Sequence, residues 1–270
     1  MTIPLPPPAL RSRRVWVQCA LALGWTACLG PAAWGGPAKP RLKLRVGWLN
    51  SPPYQFDTPH GPAGLDIELM GLWAQAAGVQ LEWVQATWAR QLLEASSGGL
   101  DLMMSATPSE ERRVYADFTA PYRDEHLGLV ALAGHNLALT HLSDLEGQSV
   151  KVGVMRGVAF PPAVAQAFAK PALQRLLVPM RGHDLTLEAL RARRLHYIVG
   201  DAISLSHHAE RDSGAPIVVA LRFAPAPVHV LVSRQTLARV PGLMARLNDA
   251  LARVRGSAAW LQVLARYPGT

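Results

Sequence analysis

Hydrophobic positions along the chain follow two periods in turn, and this alternation predicts an α/β protein. Short runs rich in Val, Leu and Ile are typical of strands, and stretches with apolar residues three or four positions apart are typical of helices. The predicted strands are 41–48, 79–84, 100–104, 150–154, 173–178, 196–199 and 228–232. The predicted helices are 67–77, 88–95, 163–169, 184–192, 202–211, 240–253 and 258–267, with Asp66 as the cap of the first and Gly78 as its end. Strand and helix alternate, which favours parallel sheets with right-handed crossovers.

The alternation occurs twice and predicts two lobes. An apolar run at 126–133 leads from the first α/β unit to the second, and strand 228–232 returns to the first. A chain of 270 residues is long enough for two domains, each with its own core. We therefore expect lobe one at 41–130 and 226–270 and lobe two at 131–225, joined by a two-strand hinge.

Hydroxyl groups and an arginine follow the third predicted strand, in the segment Ser105 to Tyr122 with the sequence SATPSEERRVYADFTAPY. Ligands of open α/β sheets bind outside the carboxyl ends of the strands, where loop hydroxyls and helix N-termini converge. Thr107, with Ser105 or Ser109, offers hydroxyls there, and Arg112 offers a planar guanidinium that suits a carboxylate. The segment predicts an anion-binding site. The plainer alternative is that Arg112 forms a surface ion pair.

Two phrases of the sequence resemble a known family. Thr-Pro-x-Glu-x-Arg followed by Asp-Phe-Thr-x-Pro-Tyr is similar to the signature of the bacterial extracellular solute-binding proteins, family 3, of the polar amino-acid type. LSDLEGQSVKVGV at 142–154 resembles the phrase that opens lobe two in that family. The resemblance covers 44–267. It implies the type II periplasmic binding protein fold, with two Rossmann-like α/β lobes.

The resemblance also implies a function. The expected protein is periplasmic and monomeric, captures an amino acid or a related small carboxylate between its lobes, and delivers it to an ABC transporter permease. By this resemblance, Arg112 and Thr107, with Ser105, hold the α-carboxylate of the ligand, and Asp201 holds the α-ammonium. A carboxylate suits that place because a desolvated ammonium needs a charged partner. The alternative for Asp201 is a plain N-cap of the helix that follows it.

The loop of lobe two departs from the family pattern. Val158 and Ala159 follow Gly157 where hydroxyl residues are usual. The candidate site residues of this loop are Gly157 and Val158, and only backbone N–H groups, at Val158 and Ala159, could reach a carboxylate there. Weak amino-acid binding or a different carboxylate ligand therefore stays open. Four aromatic residues of lobe one are candidates to stack on the ligand, with a place in the core as the alternative for each: Tyr54, Trp88, Trp48 and Phe56.

Residues 1–36 are interpreted as a signal peptide. Three arginines precede an apolar run at 15–29, and small residues follow it where a signal peptidase cuts. Both twin-arginine and general secretion stay open, as does lipidation at Cys28. The second cysteine, Cys19, lies in the same segment. We therefore expect a mature chain without disulfides or cysteine sites.

Composition argues against other partners. The formal net charge is +8, and removal of the three signal-peptide arginines leaves 24 basic against 19 acidic residues. This excess is spread along the chain, whereas nucleic-acid binders cluster basic residues, so no nucleic-acid partner is expected. No apolar run after residue 29 is long enough to span a membrane, so we do not expect a receptor domain fused to a membrane helix.

Signals of catalysis are weak, and we expect a binding protein that needs no cofactor. The nine histidines lack the spacing of metal ligands, and the sequence contains no nucleophile elbow, phosphate loop or dinucleotide fingerprint. The alternative is a periplasmic cyclohexadienyl or prephenate dehydratase on the same scaffold. Its candidate acid and base groups are Glu125, His126 and Asp201.

Overall fold

Two large β-sheets organise the chain in the computed structural model, which describes residues 41–135, 139–211 and 214–270. The predicted signal peptide at 1–36, with both cysteines, lies outside the described residues. Each sheet carries its own helices and its own apolar core, and we call the two parts lobe one and lobe two. The alternating pattern of the sequence therefore gives the α/β architecture that it predicts.

Lobe one contains the first ten elements of the described chain. They are β1 (Leu42–Trp48), β2 (Phe56–Thr58), β3 (Gly61–Ala63), α1 (Leu65–Ala77), β4 (Val79–Gln85), α2 (Trp88–Ser97), β5 (Leu102–Ala106), α3 (Glu110–Arg113), β6 (Ala116–Phe118) and β7 (Arg123–Glu125).

Lobe two contains the next elements. They are β8 (Leu127–Leu132), a 3-10 turn (Leu142–Leu145), β9 (Val152–Met155), α4 (Pro162–Phe168), α5 (Pro171–Gln174), β10 (Leu177–Met180), α6 (His183–Arg191), β11 (Tyr197–Asp201), α7 (Ala202–Glu210) and β12 (Ile217–Arg222). The chain then returns to lobe one with β13 (Ala226–Ser233), α8 (Arg234–Arg239), α9 (Leu243–Val254) and α10 (Ala258–Arg266).

The strand orders show how the chain enters and leaves each sheet. The sheet of lobe one has the order β4-β1-β5-β13-β6, with β7 also paired to β13, and β1 is parallel to β4 and β5. The sheet of lobe two has the order β10-β9-β11-β8-β12, with β9 parallel to β10 and β11. The parallel pairs are those joined by helices, as the crossover rule requires.

Two crossings between the sheets lie side by side. The chain leaves lobe one between β7 and β8 and returns between β12 and β13, and Glu125 of β7 pairs with Ala226 of β13. The lobe boundary predicted at 130 falls inside β8, which is paired to β11 and β12 of lobe two. The first crossing therefore lies several residues earlier in the chain than the apolar run suggests.

The core of lobe one forms where α1 packs against α9 and α10. Trp73 of α1 is fully buried, and its indole N–H donates to the Leu247 carbonyl at 2.7 Å. A buried Trp N–H needs such an acceptor, since an unpaired donor in an apolar core is costly. This packing holds the helices against one face of the lobe-one sheet.

Two predicted element ends are wrong. Asp66 does not cap α1, because Gly64 occupies the cap position and the Asp66 side chain turns inward to Arg123. The predicted end at Gly78 is confirmed by its left-handed conformation, with a φ of 65°. The strand predicted at 173–178 begins only at Leu177, because Pro171 starts the short helix α5 in front of it.

Within the part of the chain that the structure describes, no helix combines the length and the apolar character needed to cross a bilayer.

Candidate ligand-binding site

A cavity between the two lobes measures about 830 Å³ when the space open to solvent is included. Aliphatic side chains and polar side chains from both lobes line it. Several sequence-predicted site residues line it: Ser105, Asp201, Tyr54, Trp88 and Val158. The others are not part of this lining: Arg112, Thr107, Trp48 and Gly157. The structure therefore brings together part of the predicted set around one space.

Asp201 combines the two roles considered for it. It stands at the end of β11 and caps α7, where its carboxylate accepts from the Ser204 N–H at 2.8 Å. The same carboxylate lines the cavity and accepts from the Tyr54 hydroxyl at 3.2 Å and the His126 N–H at 3.0 Å. Burial and the nearby Asp201 charge raise the pKa of Tyr54, so its hydroxyl stays protonated and donates. A charged acceptor is thus held in place by three donors.

Arg112 lies beside the cavity and is 3% exposed. Its guanidinium donates to the Thr107 carbonyl at 2.6 Å and, across the lobes, to the Gly157 carbonyl at 2.7 Å. Its central carbon lies 5.3 Å from the centre of the Trp88 ring, within the range of a cation–π contact. Burial lowers the pKa of Arg112, although nearby acidic groups oppose the shift. The plainer alternative, a surface ion pair, does not apply to this buried side chain.

The Gly157 carbonyl is an acceptor shared by two residues of lobe one. Besides Arg112, the Trp88 indole N–H donates to it at 3.1 Å. The N–H of Val158 donates within its own loop to Met155, at 3.2 Å. In this arrangement the loop presents a carbonyl to lobe one, whereas the sequence analysis expects it to present N–H groups.

The remaining predicted residues fall into different surroundings. Trp48 is 4% exposed and packs in the core of lobe one. The Thr107 hydroxyl donates to the Glu125 carboxyl at 3.1 Å. The Ser105 hydroxyl donates to Asp66 at 2.6 Å. Ser105 and Thr107 thus both contact acidic side chains.

A buried ion pair beneath the cavity is the main feature that the sequence analysis missed. Arg123 donates to both carboxylate oxygens of Asp66, at 2.7 and 3.0 Å, and to the Ser105 hydroxyl at 2.9 Å. Its guanidinium carbon lies 3.9 Å from the centre of the Tyr54 ring. Burial opposes ionisation of Asp66, but the Arg123 charge and hydrogen bonds from Ser105 and Gln55 outweigh it and lower the pKa of Asp66. The charge of Arg123 is therefore largely balanced inside the protein.

Glu125 is a second carboxyl group in the cavity lining. Burial and the nearby negative charge of Asp201 raise the pKa of Glu125 to about 7, against the opposing effect of Arg123. From the sequence, Glu125 is a candidate only for the enzyme alternative. Its place on β7, one residue before the crossing, is what brings it to the cavity.

His183 lines the cavity from lobe two and stacks with His208 at 5.0 Å between ring centres. Burial and the neighbouring His208 lower the pKa of His183 to about 3, so its imidazole is neutral near pH 7. Within the ranges that the structure describes, no group of three or more His, Cys, Asp or Glu side chains is placed to hold a metal ion.

Comparison with known proteins identifies the family of the chain. Residues 44–270 match the model of the bacterial extracellular solute-binding proteins, family 3. The chain belongs to this family. It is 25% identical over 264 residues to a probable histidine-binding protein of Neisseria gonorrhoeae, an alignment that covers 93% of this chain and 94% of that protein.

Solved structures of family members and related domains share the fold. An ancestral arginine-binding protein bound to arginine superposes with a TM-score of 0.71 and 24% identity, covering 85% of this chain and 99% of that one. A histidine kinase sensor domain with similarity to periplasmic binding proteins gives a TM-score of 0.72 and 23% identity, with 85% and 97% covered. The predicted type II periplasmic binding protein fold, with two α/β lobes, is confirmed.

Proposed function

We propose that this member of the family captures an amino acid between its lobes and delivers it to an ABC transporter permease. The observation that carries the proposal is Asp201, a carboxylate fixed by three donors that faces the cavity from lobe two. An α-ammonium group that is taken out of water needs such a charged acceptor, because an uncharged side chain cannot balance its charge.

The α-carboxylate would bind at Arg112 and Thr107. In the present arrangement one terminal nitrogen of Arg112 donates to the Thr107 carbonyl, and the other donates to the Gly157 carbonyl of the facing lobe. Separation of the lobes would break this bond and free the guanidinium, and a ligand carboxylate could take the carbonyl's place as the lobes close again. Exchange of a neutral acceptor for a charged one strengthens the hydrogen bond.

Names of relatives support an amino acid as the ligand. The relative in Neisseria gonorrhoeae is named for histidine, and one solved structure holds arginine. Together with the predicted signal peptide at 1–36, they favour a monomeric periplasmic protein that works with a membrane importer. The ligand of this chain need not be theirs, because Gly157 to Ala159 lack the usual hydroxyl groups.

Calorimetric titration with the twenty common amino acids tests the proposal. We expect at least one to bind, and Arg112→Ala and Asp201→Asn each to weaken that binding about a hundredfold or more, because each leaves a buried charge without its partner. Arg113→Ala is the matched control, since Arg113 is the exposed neighbour of Arg112 and should have no effect. Binding of no amino acid, or full affinity in Arg112→Ala, contradicts the proposal.

A dehydratase is the second candidate, and Glu125 is the observation that favours it. A carboxyl group with a pKa of about 7 in a cavity is suited to donate and accept protons near neutral pH. Incubation of the purified protein with prephenate and arogenate, followed by product detection, tests this reading. Turnover that is lost in Glu125→Gln would establish the enzyme, and unchanged substrates would exclude it.

A further inference from the structure

The cavity carries two carboxyl groups that form no ion pair within the described part of the chain. Neither Glu125 nor Asp201 lies in an ion pair among residues 41–135, 139–211 and 214–270. The arginine that shares the lining, Arg123, is bound through both carboxylate oxygens of Asp66. The charge left facing the space is therefore negative, and a positively charged group of a ligand would balance it.

The two carboxyl groups are near neighbours. Asp201 pairs with Leu127 across β11 and β8, only two residues after Glu125, and the Asp201 carboxylate accepts from the N–H of the residue between them, His126. Their mutual repulsion contributes to the raised pKa of Glu125. One ammonium group could therefore contact both, with the Tyr54 hydroxyl beside them.

Most other polar side chains of the lining are already satisfied within the protein. Ser51 bonds Ser204 at 2.7 Å, Gln55 and Ser105 donate to Asp66, and the Trp88 indole donates to a carbonyl. His183 is neutral near pH 7 because burial lowers its pKa to about 3. Apart from an α-carboxylate, which the proposed function assigns to Arg112 and Thr107, a second charge on the ligand would therefore lack a partner and incur its desolvation cost.

Aliphatic side chains from both lobes also line the cavity, among them Leu49, Leu127, Met155, Val158, Ile198 and Leu205. Such a surface favours an apolar ligand body, at about 25 cal/mol for each Å² removed from water. The cavity thus has a negatively charged part, at Glu125 and Asp201, and an apolar part.

We propose that Glu125 acts with Asp201 as a second acceptor for the ligand's ammonium group, and that the cavity selects ligands with one ammonium group and an uncharged, mainly apolar side chain. This inference rests on the proposed function, which it narrows to amino acids such as leucine and to their simple amines. It sets this chain apart from relatives named for histidine or arginine.

Binding should then be linked to protons. The charged groups that face Glu125 are Asp201 on β11, Arg123 on β7 and Arg112 on α3. At pH 6 about nine-tenths of Glu125 is protonated, given its pKa of about 7, and at pH 8 about one-tenth. An ammonium group beside it favours the ionised form, so binding at pH 6 should release nearly one proton. Affinity should be about tenfold weaker at pH 6 than at pH 8.

Calorimetry with four probes tests the proposal: L-leucine, 3-methylbutylamine, 4-methylpentanoate and L-arginine. The ammonium groups among these probes stay protonated between pH 6 and pH 8, so proton exchange reports on the protein. Titration in two buffers of different ionisation enthalpy gives the number of protons released. We expect L-leucine to bind at least tenfold more tightly than L-arginine, 3-methylbutylamine to bind with proton release, and 4-methylpentanoate not to bind.

Variants assign the effect to Glu125. Glu125→Gln keeps a hydrogen-bonding side chain of the same length and should abolish proton release and weaken L-leucine binding about tenfold at pH 8. Glu110→Gln, at an exposed site, is the control.

The outcomes separate this inference from the proposed function. Tighter binding of L-arginine than of L-leucine, or unchanged proton release in Glu125→Gln, overturns the inference while leaving amino-acid capture in place. Binding of 3-methylbutylamine with proton release, but of no amino acid, supports the inference and overturns amino-acid capture. Binding of none of the four probes overturns the inference, and the full amino-acid panel then decides the function.

Discussion

Arg112 and Gly157 form a hydrogen bond of 2.7 Å between the lobes, from the guanidinium to the carbonyl. Gly157 has a φ of 76°, a conformation that favours glycine. A Cβ atom there would lie 2.7 Å from a methyl carbon of Leu92, on a helix of the facing lobe. The contact between lobes thus depends on the absence of a side chain at this position.

Gly157→Ala should therefore weaken lobe closure. We expect a loss of stability of about 1 kcal/mol from the left-handed backbone, and a loss of ligand affinity of about fivefold as Leu92 is pushed away. Gly147→Ala is the matched control, because Gly147 has a φ of 79° and open space around its Cβ position. Thermal unfolding should show a similar loss in both variants, and calorimetry an affinity loss in Gly157→Ala alone. Equal affinities would contradict the closure argument.

Replacement of Asp66 is predicted to be among the most destabilising single substitutions in lobe one. Asp66→Asn removes the charge that balances Arg123, whose side chain is 7% exposed, and should reduce the free energy of unfolding by about 3 to 5 kcal/mol. Urea denaturation measures this. Glu82→Gln removes a carboxylate from an exposed ion pair with Lys43 and should cost less than about 1 kcal/mol. A small effect of Asp66→Asn would mean that Arg123 finds another partner.

The fold could be predicted from the sequence because its signals are local. The period of apolar residues predicts α1 and β1, and Gly78 ends α1 through its own backbone conformation. The errors also have local causes: Pro171 places a helical turn where apolar residues suggest a strand. Asp66 looks like a cap because it stands near the start of an apolar helix.

The candidate site could be predicted only in part, because its contacts join distant parts of the chain. Asp66 and Arg123 are 57 positions apart, and their pairing requires both α1 and β7 to be in place. Arg112 is 45 positions from Gly157. The motif identifies Arg112, but whether its guanidinium meets a carbonyl or a carboxylate depends on how the lobes meet. Glu125 lies three residues after the end of the family motif, and the sequence indicates it only as an acid or base of the enzyme alternative.

Glu125 should make the stability of the ligand-free protein depend on pH. The pKa of Glu125 is raised to about 7 in the folded state, above its unfolded value near 4.5. Its contribution to stability is therefore fully present below pH 4.5 and is lost as the pH rises through 7. At pH 8, Glu125→Gln should be more stable than the wild type by about 3 kcal/mol, and at pH 4.5 the two should be nearly equal.

Thermal unfolding of both proteins across this pH range checks the prediction. Glu110→Gln should follow the wild type at every pH, because the Glu110 side chain is exposed. A constant difference between Glu125→Gln and the wild type would show that the carboxyl group does not titrate near 7.

Asp101 should make the folding stability of lobe one fall at low pH. Its carboxylate, 2% exposed, accepts hydrogen bonds from Arg45, Thr236 and Arg239 and ties β1 to α8. Burial opposes its ionisation, but the hydrogen bonds from Arg45 and Thr236 outweigh it and lower the pKa of Asp101 below 3.8. The stability that it contributes is present above pH 3.8 and is lost as the pH falls through the lower folded-state value.

Asp101→Asn should therefore be less stable than the wild type by about 2 kcal/mol at pH 7, because the amide cannot accept from two arginines as a carboxylate does. The difference should shrink as the pH falls below 3.8, since the wild-type carboxyl group then becomes neutral as well. Urea denaturation at pH 7 and near pH 3 measures both values. Asp117→Asn is the control, because Asp117 forms an exposed pair with Arg234. A difference for Asp101→Asn that stays constant with pH would place its cause in packing and not in charge.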